Sequence, residues 1–188
     1  MTEMPGVERT TAFLTVGSTC FDALVEVAAT LPFRRTLLQA GFSHIVVQAG
    51  RIGSLPPPSP PTADAAGADF YHYKPSLDDD MASAGLIISH AGAGSIMSAL
   101  RLGKPLVVVV NGSLMDNHQS ELAMEMQARG HLAVAEECSC DALAAAVGLV
   151  VGGGSKASSG GGSRKTVPLP PADPAVFRQC VDRQIAIL

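Results

Sequence analysis

The run Leu106–Val110, LVVVV, constrains the fold more than any other part of the chain. Five apolar, mostly β-branched residues in a row leave no polar face, so this strand must be covered on both sides. Strands of that kind belong to parallel sheets, whose neighbours are joined by crossover helices. The flanking residues agree: Gly103 suits the left-handed position just past a helix, and Pro105 blocks its continuation. Short apolar runs and helical patterns alternate along the rest of the chain. Strands are expected at Ala12–Val16, Ile45–Gln48, Asp69–Tyr73 (near an edge), Leu86–Ser89 and His131–Ala135. Helices are expected from Phe21 to Ala29, Arg34 to Ala40, Ser76 (as cap) to Ala84, Ser95 to Leu102, Asn117 to Arg129, and Asp141 (as cap) to Val150. Leu55–Pro61, LPPPSPP, is a loop, because proline lacks the N–H donor and fixes φ. The pattern predicts an α/β fold with an open, mostly parallel, Rossmann-like sheet and helices on both faces. Such sheets take ligands at the carboxyl ends of their strands.

Composition narrows the class. With 188 residues the chain fits one domain, and 47% apolar against 16% charged residues reads as globular. The net charge is −4, and no basic run exceeds Arg34-Arg35 or Arg164-Lys165, so no nucleic-acid footprint is visible. The N-terminus lacks the pattern of a secretory signal. The longest apolar run, Ala142–Val151, falls short of the roughly 20 residues a bilayer span needs. A cytoplasmic chain is expected, attached to membranes only through a partner. Cys138 and Cys140 have no second ligand pair at zinc spacing, so no metal site is expected, and Cys20 and Cys180 are read as reduced thiols. Gly152–Lys165 is a flexible low-complexity stretch. Beyond it, Phe177, Val181, Ile185 and Leu188 form an apolar helical stripe that would fold back on the domain or dock on another protein.

Two glycine turns carry the candidate chemistry. Gly92-Ala93-Gly94-Ser95 stands where a strand ends and a helix begins. Small residues there either pack under a neighbouring strand or let an anion, most often phosphate, reach the unpaired first amides of the helix. Gly17-Ser18-Thr19 follows the first strand and would add amides and hydroxyls at the same sheet edge. Met97 stands in place of the third glycine of a dinucleotide fingerprint, and Gly103-Lys104-Pro105 lacks the spacing of a P-loop. Asp78-Asp79-Asp80 reads as a helix first turn, where the macrodipole favours anions. Asp116, Asn117, His118 and Gln119 bring carboxylate, amide and imidazole groups to the same edge, either as caps or as contacts to sugar hydroxyls. His90 precedes the second glycine turn and would face a ligand.

Four stretches, FLTVGSTCFDAL (Phe13–Leu24), YHYKPSL (Tyr71–Leu77), ISHAGAGS (Ile88–Ser95) and GKPLVVVVNGSLMDNHQSELA (Gly103–Ala123), resemble one family. It is that of the cytosolic catalytic subunits of the eukaryotic UDP-N-acetylglucosamine transferase of dolichol-linked oligosaccharide synthesis. The broader class is the C-terminal domain of MurG-like glycosyltransferase family 28. The resemblance implies the donor-binding half of a GT-B glycosyltransferase. It implies transfer of GlcNAc from UDP-GlcNAc to GlcNAc-diphosphodolichol, β1,4 and inverting, without a bound metal or other cofactor. It further implies a membrane-anchored acceptor-binding subunit that recruits this chain to the cytosolic face of the endoplasmic reticulum. No nucleic acid and no direct membrane span are expected.

Carried over by position, Gly17, Ser18 and Thr19 face the diphosphate, and Gly92, Ala93, Gly94 and Ser95 line the nucleotide and phosphates. Asn117, His118 and Gln119 lie where the family contacts the sugar. His90, Asp116 and His118 are the in-chain candidates for the catalytic base. On this reading residues 1–151 form the Rossmann-like UDP-sugar-binding domain, 152–172 a Gly/Ser/Pro-rich linker, and 173–188 a partner-docking helix. One position departs from the family pattern: Ser98 stands where a glutamate usually accepts the ribose hydroxyls. That departure suits a second reading, an inactive nucleotide-sugar-binding module that regulates such a transferase. A UDP-sugar epimerase would need both halves of the cleft in one longer chain.

Overall fold

A computed structural model of the chain describes residues 10–110, 117–151 and 167; for residues 117–120 it describes the backbone alone. Strands and helices alternate in the order β1 (Thr10–Thr15), α1 (Asp22–Ala29), α2 (Leu31–Gln39), β2 (Phe42–Gln48), β3 (Gly67–Tyr71) and α3 (Asp78–Ser83). They continue with β4 (Leu86–His90), α4 (Ala93–Arg101), β5 (Leu106–Val109), α5 (Asn117–Ala128), β6 (Ala133–Ala135) and α6 (Cys140–Val151). The strands form one sheet, ordered β3-β2-β1-β4-β5-β6, and each ladder is parallel. The expected strand at the edge is β3, two residues earlier than its sequence pattern suggests.

The all-apolar strand does what its composition demands. Successive side chains of a strand point to opposite faces. Leu106 and Val108 therefore join one core with Phe13, Ile87, Met81, Ile96 and Ala123, beneath α3, α4 and α5. Val107 and Val109 join the other with Leu14, Ile88, Leu24, Phe33 and Leu143, beneath α1, α2 and α6. Ile87, Ile88, Leu106 and Val107 are all wholly buried.

α2 begins at Leu31, three residues before the expected Arg34, because the Thr30 hydroxyl accepts from the Phe33 N–H at 3.4 Å and caps it, and α4 begins at Ala93 rather than Ser95. Two expected caps also differ from the sequence reading. Ser76 does not cap α3; its hydroxyl donates to Asp78 Oδ2 at 2.8 Å and accepts from the Asp78 N–H at 3.1 Å, one residue too early. Leu77 occupies the cap position, and the three aspartates fill the first turn as expected. At α6 the cap is Ser139, whose hydroxyl accepts from the Ala142 N–H at 3.2 Å, while Asp141 sits in the first turn. Gly103 and Gly130 close α4 and α5 in left-handed geometry (φ +64 and +79).

The proline-rich loop is held rather than loose. Ser59 and Ala68 exchange both backbone hydrogen bonds, at 2.8 and 2.7 Å, in an antiparallel bridge on β3. The buried Arg34 of α2 donates from Nε to the Ala66 carbonyl at 2.7 Å and from its guanidinium to the Pro60 carbonyl at 3.4 Å. At the far side of the sheet, the Val167 N–H donates to the Gly130 carbonyl at 2.9 Å, and the Val167 carbonyl lies 2.6 Å from His131 Nδ1. Asp116, the rest of the expected linker and the expected helix at 173–188 lie outside the described residues. Among those described, no helix is long and apolar enough to cross a membrane.

Candidate functional site

The chain leaves β1 toward β2 on one side and leaves β4 toward β5 on the other, so the strand order reverses between β1 and β4. In such folds that divergence forms the ligand crevice, outside the carboxyl ends of the strands. The turn Gly17-Ser18-Thr19 forms one lip and Gly92-Ala93-Gly94-Ser95 the other. His90, the last residue of β4, lies between them.

The imidazole of His90 explains two of the glycines. A methyl group built on Gly92 would lie 2.3 Å from His90 Nε2, and one built on Gly17 would lie 2.7 Å from His90 Cε1. Both are closer than real side chains approach, so the ring edge rests against both turns. Gly17 also has φ +67, a conformation that L side chains rarely adopt. Gly94 is different: among the described residues, nothing lies within 4 Å of a methyl built there. Packing among those residues thus accounts for Gly92 and Gly17, and not for Gly94.

The two lips offer different donors. Gly92 caps α4 with no side-chain hydrogen bond, and the first intrahelical bond of the turn is from the Ile96 N–H to the Gly92 carbonyl. The amides of Ala93, Gly94 and Ser95 carry the partial positive charge of the helix start. On the other lip the Gly17 N–H is already used: it donates to Thr15 Oγ1 and to Gln48 Oε1, each at 3.0 Å. The Thr19 hydroxyl donates to the Val16 carbonyl at 2.8 Å. Ser18 and Thr19 are exposed on that turn, and their peptide groups are what it can offer an anion.

Gln48 had no signal in the sequence beyond ending an apolar strand, yet it organises the first lip. It is buried to 1% exposure at the end of β2. Its Oε1 accepts from Thr15 Oγ1 at 2.6 Å as well as from the Gly17 N–H. Its Nε2 donates to the carbonyls of Gly17, at 2.9 Å, and His72, at 2.7 Å.

The YHYKPSL motif closes on itself. Lys74 Nζ lies 2.9 and 2.8 Å from the two Asp80 oxygens and 4.2 Å from the Tyr71 ring centre. The Tyr71 hydroxyl donates to the same carboxylate. Burial pushes the Tyr71 pKa up, and Asp80 pushes it further. For Asp80, burial acts upward but the hydrogen bonds from Lys74 and Tyr71 outweigh it and lower the pKa. Asn117, His118 and Gln119 open α5; their side chains lie outside the described residues.

Burial lowers the His90 pKa below 6.5, with a hydrogen bond to the Thr15 backbone acting the other way. The unfolded chain therefore takes up this proton at a higher pH than the folded chain. Stability is complete above about pH 6.5 and falls as pH drops from there toward the lowered folded value. Melting curves from pH 7.5 to 5 should show Tm falling, with a shallower slope in His90→Asn. Equal slopes would mean that the ring already accepts a proton in the folded state.

Strand order and the crevice at its reversal point define a Rossmann-like α/β domain. The model of the glycosyltransferase family 28 C-terminal domain matches residues 11–156, and the chain belongs to that family. The UDP-N-acetylglucosamine transferase subunit ALG13 of Mus musculus is 46% identical over 132 residues, covering 70% of this chain. The Saccharomyces cerevisiae subunit of the same name is 33% identical, with 67% of this chain and 77% of the relative covered. The chain spans only 11% of the length of the mouse protein and of its Homo sapiens counterpart. An NMR structure of ALG13 superposes with a TM-score of 0.51 at 28% identity, covering 69% of this chain and 79% of that one. MurG of Acinetobacter baumannii shares the fold, with a TM-score of 0.50 at 20% identity over 69% of this chain and 37% of that one.

Proposed function

We propose that the chain binds UDP-GlcNAc in the crevice between β1 and β4 and is the donor-binding, catalytic subunit of a two-subunit transferase. The observation that carries this reading is the start of α4: the cap, Gly92, has no side chain to occupy the amides of Ala93, Gly94 and Ser95, and among the described residues nothing approaches a side chain built at Gly94. Pyrophosphate oxygens rest on these amides and on those of Ser18 and Thr19. As the bond from the sugar C1 to UDP breaks, the same fixed dipoles take up the charge developing on the leaving group. The reading needs no metal.

The acceptor is GlcNAc-diphosphodolichol. Its 4-hydroxyl attacks C1 from the face opposite UDP, giving inversion and a β1,4 linkage, with a base removing the hydroxyl proton. Asn117 and Gln119 hold the sugar; His118, Asp116 and His90 are the base candidates in this chain. One sheet domain cannot enclose both substrates, so the acceptor site belongs to a membrane-anchored partner. Residues 152–172 link the domain, 1–151, to the docking segment 173–188, which places the chain at the cytosolic face of the endoplasmic reticulum.

Two measurements test this. Calorimetry should detect UDP-GlcNAc binding by the chain alone; no heat at millimolar ligand rejects the donor site. Transfer to a lipid-linked acceptor should require co-expression with the membrane subunit, and turnover by the purified chain alone rejects the two-subunit assignment. Ser98 favours a second reading, a binding module that regulates a transferase without activity of its own. Donor binding with no turnover in the assembled complex would support it.

A further inference from the structure

We propose that Gln48 is a positioning residue for the diphosphate: it holds the Gly17 peptide from inside the sheet so that Ser18 and Thr19 present their amides to the crevice. The inference rests on the nucleotide-sugar reading of that crevice. Gln48 is buried, and its amide group makes four hydrogen bonds, which exhausts its capacity. Two of them grip one peptide unit on each side, at the Gly17 N–H and the Gly17 carbonyl. Its partners also fix the amide orientation. The Gly17 N–H can only donate, and the carbonyls of Gly17 and His72 can only accept, so a flipped amide would set like groups against each other. His90 supports the same residue from β4, with Cε1 2.7 Å from where a Gly17 side chain would begin.

The consequence is a division of labour within the turn. Gly17 is bound to the protein, and the next two residues are exposed. Without the clamp, the hydrogen bond left to Gly17 among the described residues is from its N–H to Thr15 Oγ1. The turn then samples positions in which the Ser18 and Thr19 amides miss the phosphates. Apparent affinity falls in proportion to the fraction of time spent in the competent position. That loss is confined to ligands with phosphates, because a bare nucleoside does not use this turn.

The test compares UDP with uridine, by calorimetry on the full chain, in wild type and in Gln48→Met, which keeps the volume and removes the amide. UDP affinity should fall about tenfold, the effect of roughly one to two lost hydrogen bonds, while uridine affinity stays within about twofold. Thr15→Val is the second variant, should Gln48→Met fail to fold. It removes one bond to Gln48 and one from Gly17 while leaving the amide in place. It should show the same selectivity for UDP with a loss of about threefold to fivefold. A parallel fall for UDP and uridine in the variant that folds would make Gln48 merely structural and overturn the proposal, as would no fall for either. If the wild-type chain binds neither ligand, the nucleotide reading itself fails, and this inference with it.

Discussion

Ser98→Glu should raise the affinity for UDP about 10- to 100-fold. The change places a carboxylate on α4, one turn after Ser95, where positions three apart lie side by side on the helix surface. A glutamate reaches further than serine and can accept from both ribose hydroxyls at once. One hydrogen bond to a charged group contributes about 1.5–3 kcal/mol, and the stated range counts one such bond beyond what serine supplies. Ser98 is half-buried and beyond the first turn of α4, so the substitution should leave Tm nearly unchanged. Two controls isolate the cause. Ser98→Gln should recover only part of the gain, because it lacks the charge. A 2′-deoxy ligand should lose most of it, because one of the two donors is missing. If Ser98→Glu binds no better than wild type, the ribose is held by other groups and serine at this position is no defect.

Gly92→Ala should destabilise the domain by about 1–3 kcal/mol, the usual cost of forcing extra volume into a packed site. The backbone gives no reason for this: φ −69 and ψ 123 at Gly92 suit any residue. The whole cost comes from His90, whose Nε2, Cε1 and Cδ2 would lie 2.3, 2.8 and 3.2 Å from the new methyl group. The ring cannot move aside toward β1, because its Cε1 already sits against Gly17. Pushing it outward spreads the two lips and should weaken UDP binding together with stability. A double-mutant cycle decides the matter. In a His90→Ala background the same methyl group should cost little, leaving a coupling of about 1–2 kcal/mol between the two sites. Simple additivity would mean that Gly92 is required by something other than the imidazole.

These contacts show where sequence patterns run out. β1, β4 and β5 were legible because their apolar runs admit no other home, and the order of strands and helices followed from them. The start of α3 was misplaced, since Ser76 has the chemistry of a cap but spends it on Asp78, while Leu77 takes the position. Asp141 misled in the same way, with the better-placed Ser139 two residues before it. At the site, sequence spacing identified both glycine turns and posed packing against anion binding as alternatives. The structure divides them by residue: packing holds for Gly92, while among the described residues nothing approaches a side chain built at Gly94. Spacing alone cannot reveal such a division, because His90 meets Gly17 only after β1 and β4 pair. Gln48 was invisible for the same reason. A glutamine that ends an apolar strand looks like an exit into solvent until its partners arrive from Thr15, Gly17 and His72.

The prolines that Ser59 and Arg34 fasten over β3 bear on how this molecule behaves in a crowd. A free outer strand is a template for another copy of the same chain, and sheets that grow by such addition end as insoluble fibrils. Here an approaching strand would meet Pro57, Pro58, Pro60 and Pro61, none of which has an N–H to give, around a serine whose own is already committed to Ala68. The proline-rich loop thus guards the outer strand against runaway self-association.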